Sequence, residues 1–528
     1  MIKKAHIILI FLVLYSSALG IRVYWLSQKN GLHVDEGMTI AYSFYNDYIT
    51  AKNYDMNRKY TGKEIKEKSL VSESGFKDAL SDIKNMRINN RDSPHTNLYY
   101  TFFRLAALGL KTTDIKPVIF RGGILNLIFF TISFVFFFLL MRILFPDSVS
   151  VQFFAVFCAF LSTASISNTL FLRLYQMQET MFIVISYFFF KWIDLRKFSL
   201  NDNKMLILGK FLFMSLLAAI TLLTGYYAVI FIGLYGLYII FINCREKLYA
   251  KNIFYFFIFA LGILFAHVLY PNYSKGFSSY RGVETGRTVL SNAAENLTVS
   301  ITAAENQIIS HFYTLPVIIV CAVCLIYLLI KKQKLYFNHQ LTAVFLIAVI
   351  YYITTLILAP YKILRYGMPV FPFFIVLPAV IINSVRVKSR TASFAAMLLI
   401  AAGFFAFAVN GNRIEHLYKN KPDEYVFSQS ADIPVFVLAH KYSYWKYANL
   451  VPYLNDRQTY YFIESYDDIF SKPYTEFFLV TEDIPVFSDL KNSGFDILET
   501  FYITGGEPET QDIMGNYFIC QRIRLKIL

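Results

Sequence analysis

About eleven apolar runs, most of them close to twenty residues long, leave this chain one environment in which to fold. The first covers about Ala5 to Leu26, and the others lie near 117–140, 150–170, 177–193, 206–223, 226–243, 253–270, 314–330, 341–359, 367–384 and 391–409. Each suits a helix crossing roughly 30 Å of hydrocarbon. Inside a bilayer every backbone N–H and C=O must find its partner within the segment, so such runs become helices. Of 528 residues, 56% are hydrophobic and 18% aromatic, which excludes a soluble enzyme on a single anchor. Lys3 and Lys4 ahead of the first run resemble the start of a signal peptide. No small-residue cleavage site follows, so the first run is read as an uncleaved span.

The net charge of +14 would suit a nucleic-acid binder, but the basic residues are dispersed in short loops. They cluster at Lys191 with Arg196, Lys197 and Lys204; at Arg245, Lys247 and Lys251; at Lys331, Lys332 and Lys334; and at Arg386, Lys388 and Arg390. Positive-inside bias makes these loops cytoplasmic, with the amino terminus inside and the tail outside. The five cysteines form no disulfide framework, and Cys321-x-x-Cys324 has no other metal-ligand type beside it.

The expected fold class is a polytopic α-helical membrane protein with a small C-terminal α/β extracytoplasmic domain. Residues 1–409 form the membrane-embedded domain, with outward loops at 27–95 and 271–313, and 410–528 form the accessory domain. Within the first loop, Thr61 to Ile88 reads as an amphipathic helix near the membrane surface. Leu98 to Leu110 is too short to cross and reads as an interfacial or re-entrant helix. In the tail, Val435–Leu438, 459–463, 477–480 and 517–522 read as strands.

The unusual polar residues fall on the outward side of this topology. Asp35 and Glu36 follow the first span directly, at the height where a membrane-tethered substrate presents its reactive end, and a carboxylate there suits a general base. Asp92, His95, Tyr99 and Tyr100 precede the short helix. Arg173, Tyr175 and Glu179 lie at the mouth of the next helix pair, Thr224 to Tyr227 make a later outer turn, and Lys362, Arg365, Tyr366 and Pro369 mark another. A charge at bilayer depth costs about 2.5–3.5 kcal/mol on insertion scales, so Arg173, Glu179 and Arg365 should face protein rather than lipid.

In order and character these elements resemble those of the GT-C fold glycosyltransferases, in the group of protein O-mannosyltransferases, lipid A aminoarabinose transferases and related bacterial enzymes. In that group an acid pair follows the first membrane helix and an Asp-x-His-Pro-Pro-Leu-Tyr-Tyr-like motif closes the first loop. Arg-x-Tyr, Thr-His-Tyr-Tyr-like and Arg-Tyr-x-x-Pro elements follow. This chain has Asp35-Glu36, Asp92-x-x-His95-x-x-Leu98-Tyr99-Tyr100, Arg173-x-Tyr175 with Glu179, Thr224-Gly225-Tyr226-Tyr227 and Arg365-Tyr366-x-x-Pro369, all within about 1–410. It departs from the group at Thr96-Asn97, which replace the proline pair, at the extra residue between Asp92 and His95, and at Gly225, where the group often has His.

The resemblance implies transfer of a sugar from a polyprenyl-phosphate donor to an acceptor on the outer face of the membrane. Asp35, with Glu36 beside it and Asp92 as the rival, would supply the catalytic carboxylate. Arg365, Tyr366, Arg173, Tyr175, Glu179, Lys362, His95 and Tyr99 would bind the donor and its phosphate. No cofactor is expected. His33, Glu36 and His95 are the residues that would approach a divalent ion, but they lack a metal-ligand spacing, so metal independence is expected. The partners are then the lipid-linked sugar, a protein, lipid A or glycan acceptor and membrane lipid, with no nucleic acid. The Lys-, Asn- and aromatic-rich composition points to a bacterial inner membrane with a periplasmic site. Two other classes remain open. An O-antigen ligase or polymerase would lean on a late loop such as 271–313, with Arg281, Glu284 and Arg287, and a transporter would carry internal repeats and midplane charges.

Overall fold

Hydrocarbon leaves an apolar run little choice but helix, and the structure follows that rule wherever the sequence is apolar enough. A computed structural model describes residues 4–45, 55, 58–69, 75–92, 95–198, 203–291, 293–419, 431–438, 451–481, 495–504 and 517–525. Parts of the expected first loop, including 46–54, 70–74 and 93–94, lie outside the described residues. In chain order the helices are α1 (Lys4–Gln28), α2 (Val34–Tyr45), α3 (Gly62–Ser69), α4 (Phe76–Asn89), α5 (Leu98–Ala106), α6 (Ile115–Leu144), α7 (Val149–Leu161), α8 (Thr163–Leu170) and α9 (Tyr175–Lys191). There follow α10 (Lys204–Leu222), α11 (Ala228–Arg245), α12 (Lys251–Leu269), α13 (Tyr280–Ser291), α14 (Ala293–His311), α15 (Leu315–Ile330), α16 (His339–Leu358), α17 (Val376–Lys388) and α18 (Arg390–Asn410).

Among the described residues, eight helices are long and apolar enough to cross a membrane, or up to ten if each of two bent pairs counts as one span. The bent pairs are α7 with α8, at 54°, and α14 with α15, at 92°. An eleventh expected span, α9, has 17 residues, the low end of spanning length. The segment 271–313, read as a polar outer loop, contains the helices α13 and α14.

The chain divides into two compact units. The first comprises Met1–Trp25, Ser93–Tyr99 and Asn126–Glu415 and holds most of the membrane helices. Its centre is α8, whose side chains Thr163, Ser165, Ser167, Asn168 and Thr169 are all buried. The run bends at Ser162, whose backbone is extended and whose hydroxyl accepts the N–H of Ser165, capping α8. The polar face of α8 receives Arg22, a fully buried guanidinium in α1. Its Nε donates to Thr169 Oγ1 at 3.0 Å and Nη2 to Ser165 Oγ at 2.9 Å, while the group lies 4.0 Å from the Phe130 ring centroid. Thr169 donates in turn to Gln176 Oε1 at 2.7 Å, and Gln176 Nε2 donates to Glu179 at 2.9 Å. Asn168 Nδ2 holds the second Glu179 oxygen at 3.0 Å. Through Thr169 and Gln176 a relay thus joins buried Arg22 to buried Glu179 across α1, α8 and α9.

The second unit comprises Leu26–Asp92, Tyr100–Leu125 and His416–Leu528. Its six-stranded sheet joins β1 (Tyr60–Thr61), β2 (Val435–Leu438), β3 (Thr459–Ile463), β4 (Glu476–Thr481), β5 (Phe495–Thr504) and β6 (Tyr517–Leu525) in the order β1-β3-β2-β4-β6-β5. Strand β2 runs parallel to β3 and β4, and the remaining pairs are antiparallel. Phe436, Leu438, Tyr461, Ile463, Phe477, Leu479 and Ile523 form its core. All four strands expected in the tail are present. The edge strand β1 comes from the first loop, pairing Tyr60 with Tyr460 and Thr61 with Thr459. The next residue has to be glycine, because a Cβ on Gly62 would fall 2.0 Å from the carbonyl oxygen of Asn455.

Removing one end of the relay strands the other in an apolar interior. Arg22→Met is expected to cost about 3–5 kcal/mol, the range for breaking a buried charged network from one side. Arg22→Met with Glu179→Gln should recover part of that loss. Thermal melting of the detergent-solubilised protein measures both, and additive losses would show that the two ends are not coupled.

Candidate functional site

The acid pair forms the first turn of a helix rather than a free turn. Glu36 Oε2 accepts the backbone N–H of His33 at 2.7 Å, and His33 Nδ1 accepts the N–H of Asp35 at 3.1 Å. This reciprocal arrangement is a capping box with histidine in the place usually held by Ser or Thr. Glu36 also pairs with Lys29 at 3.0 Å, both side chains being fully buried. Burial holds the Lys29 ammonium below the usual lysine range, and Glu36 acts in the opposite sense. Lys29 Nζ donates to the carbonyl of His416 as well, and the N–H groups of Asn30 and Gly31 reach the carbonyl of Tyr418. His416 and Tyr418 adopt left-handed backbone conformations, with φ of 60° and 44°, which side chains rarely take. Such strain persists only where neighbours over-determine it.

Glu36 is therefore the residue that fastens the loop, while Asp35 keeps a 13% exposed side chain and stands at the positive end of the α2 dipole. Asp92 lies in the same unit. It is buried, accepts a short hydrogen bond from the Tyr100 hydroxyl, and receives the Asn90 side-chain amide on its carbonyl.

The other expected residues lie in the first unit, and several of them converge. Tyr366 meets Tyr175 edge-on at 6.4 Å and Tyr227 edge-on at 6.0 Å, which brings three separate motifs to one ring. The Arg365 guanidinium lies 5.6 Å from the same ring centroid. Tyr175 stacks on Phe171, whose carbonyl accepts the Asn126 side chain at 2.8 Å. Asn126 in turn accepts the Tyr99 hydroxyl at 3.0 Å. Thr96, next to His95, donates to the carbonyl of Leu223 beside Thr224. His95 is half-buried; Arg173 and Arg365 are buried at 2% and 4% exposure. At Gly225, with φ of 157°, a Cβ would press on Gln178 Nε2 at 3.3 Å.

Two expected donor contacts have structural partners. Glu179 is wholly enclosed in the relay with Gln176 and Asn168. Lys362 donates to the carbonyls of Ala359 at 2.8 Å and Ile357 at 3.3 Å, capping the C-terminus of α16. Burial lowers its pKa. The Arg365 guanidinium is close to the Tyr366 ring, and Arg173 precedes Tyr175 by two residues. Among the described residues no group of three or more His, Cys, Asp or Glu is disposed to hold a metal. Glu36 Oε2 and His33 Nδ1 already accept the hydrogen bonds of the capping box.

Sequence reasoning missed Lys29, Asn126 and the His416–Tyr418 segment. Lys29 reads as an ordinary charge flanking a span, and Asn126 as a lone polar residue in an apolar run. The signal for His416 is its place just past the last span, which means little until the fold brings it to the acid pair.

A helical membrane unit joined to a small mixed sheet, with the acid pair starting a helix after the first span, is the GT-C architecture that the ordered motifs implied. The structure is similar to that of ArnT from Cupriavidus metallidurans bound to undecaprenyl phosphate, with a TM-score of 0.54 and 10% identity over 98% of each chain. For ArnT from the same organism in the apo state the TM-score is 0.47, with 10% identity over 97% of each chain. No protein-family model and no curated protein matches the sequence.

The two neighbouring acids should separate in a melting experiment. Glu36→Gln leaves Lys29 buried without its counter-charge and is expected to cost about 3–5 kcal/mol. Asp35→Asn removes a charge at a helix start, 3.7 Å from His33 Nδ1, and should cost about 0.3–1 kcal/mol. Equal losses would place both acids in the same structural role.

Proposed function

We propose that this chain is a glycosyltransferase that moves a sugar from a polyprenyl-phosphate donor to an acceptor at the periplasmic face of a bacterial inner membrane. The observation that carries the reading is the meeting of Tyr175, Tyr227 and Arg365-Tyr366 around one ring in a chain with the fold of ArnT, whose solved structure holds undecaprenyl phosphate. A buried arginine beside clustered tyrosines suits a phosphate that carries an apolar tail. Guanidinium groups bind phosphate oxygens in pairs, and tyrosine presents both an apolar ring and a hydroxyl.

The chemistry follows from the leaving group. A phosphate departs without protonation, so no general acid is required, and the growing negative charge calls for fixed cations, here Arg365 and Arg173. The acceptor hydroxyl must lose its proton as it attacks the anomeric carbon. Asp35 takes that proton, and attack opposite the phosphate inverts the sugar. Glu36, locked by Lys29 and the His33 amide, sets the start of α2 and so the aim of Asp35. With charge supplied by arginine, the reaction proceeds without a metal.

Two variants, assayed as purified enzyme with polyprenyl-phosphate sugar and acceptor, test the roles. Asp35→Asn should lower turnover by about 10²–10⁴-fold with donor binding retained. If Asp35→Asn stays active and Asp92→Asn is dead, the base is Asp92, and activity in both removes the carboxylate mechanism. Arg365→Ala should raise the barrier by about 2.7–4 kcal/mol, the cost of losing one donor to a developing anion. Lys should rescue it in part, since charge survives while the bidentate fork is lost. Near-normal turnover in the Ala variant would make Arg365 a structural anchor.

A further inference from the structure

Helix α4 of the second unit distributes its side chains unevenly. At about 100° per residue its fourteen positions separate into three sectors. One carries the buried Ala79 and Met86, with Ile83 and Asp82 beside them, and faces protein. Arg104, itself buried, fixes this side by donating to Asp82 at 2.7 Å. A second sector carries Asp78, Ser81, Asn85 and Asn89, all small or acidic and polar. The third, about 120° wide, carries Phe76, Leu80 and Ile88 together with Lys77, Lys84 and Arg87. All three cations of the helix and its three large exposed apolar side chains lie there, with Phe76 at 64%, Leu80 at 49% and Ile88 at 48% exposure.

Apolar side chains left in water beside cations are unfavourable for a solvated helix and suitable for one lying in a headgroup layer. There the rings and branched chains enter the acyl boundary while lysine and arginine reach up to phosphates. The unit is tied to the bilayer by its own chain. It begins at Leu26 inside the last turn of α1 and includes 115–125, the opening turns of α6. We propose that the Phe76–Leu80–Lys84 flank of α4 is a docking surface for anionic phospholipid headgroups of the leaflet that the first loop faces. Phe76 and Leu80 insert, and Lys77 and Lys84 pair with lipid phosphates. The outer location of that leaflet rests on the topology proposed above; the lipid contact does not depend on the transfer reaction.

The test uses the full-length protein in nanodiscs, in a background with its five cysteines replaced. A nitroxide is attached to Leu80→Cys on this flank or to Asn85→Cys on the polar one. In discs containing phosphatidylglycerol the Leu80 probe should be accessible to oxygen and shielded from an aqueous nickel chelate, while the Asn85 probe shows the reverse. In phosphatidylcholine discs the Leu80 probe should shift toward water. Lys77→Gln and Lys84→Gln should each lower the inserted-to-aqueous ratio about fivefold in phosphatidylglycerol discs. A Leu80 probe that is water-accessible in both discs, or indifferent to the anionic lipid and to the Gln substitutions, overturns the proposal. Because no turnover is read, a failed lipid response leaves the transferase reading standing, and an inactive enzyme with an intact response leaves this one standing.

Discussion

An arginine in a membrane helix must find an anion or a set of acceptors, and the way Arg22 does so organises the membrane unit. Its partners are the hydroxyls of a short, wholly buried polar helix, and through Thr169 and Gln176 its charge is linked to Glu179. Helices in lipid gain no hydrophobic free energy from meeting one another, so directional polar contacts carry much of the specificity. The relay fixes the register of α1 against α8 and α9. It also sets the start of α9, whose first residue, Tyr175, belongs to the tyrosine cluster. A structural network and a candidate substrate site therefore share one helix.

A similar economy governs the acid pair. Glu36 gives the start of α2 a rigid base by capping the helix and pairing with Lys29. The segment after the last span closes over this arrangement in strained conformations at His416 and Tyr418. Of the adjacent acids, Glu36 thus holds the shape through buried contacts, while Asp35 stays partly exposed.

Much of this was legible in the sequence because hydrophobic length and period are local properties. The membrane helices and four tail strands follow from them. Strand β5 escaped notice because its register shifts between Ile497 and Glu499, which breaks the alternation that marks a strand. Strand β1 has two residues, too few for any pattern. Of the candidate site, the residue types were readable and their partners were not. For Glu179 and Lys362 the sequence offered a motif position and a cation at an outer turn, but no partner. Packing supplies those partners: Glu179 accepts from Asn168, and Lys362 donates to the end of α16.

The pairing of Tyr60 with Tyr460 has a consequence for biosynthesis. The two positions are roughly 400 residues apart, and at about 5–20 residues per second the ribosome needs about 20–80 s to travel between them. Throughout that interval the first loop has already emerged while its sheet partner does not yet exist. Tyr60, buried to 1% in the finished protein, is left without its cover, and Gly62 has no carbonyl to nestle against. A stretch made late is therefore what completes one made early, and a polypeptide truncated before β3 would carry an open seam along β1.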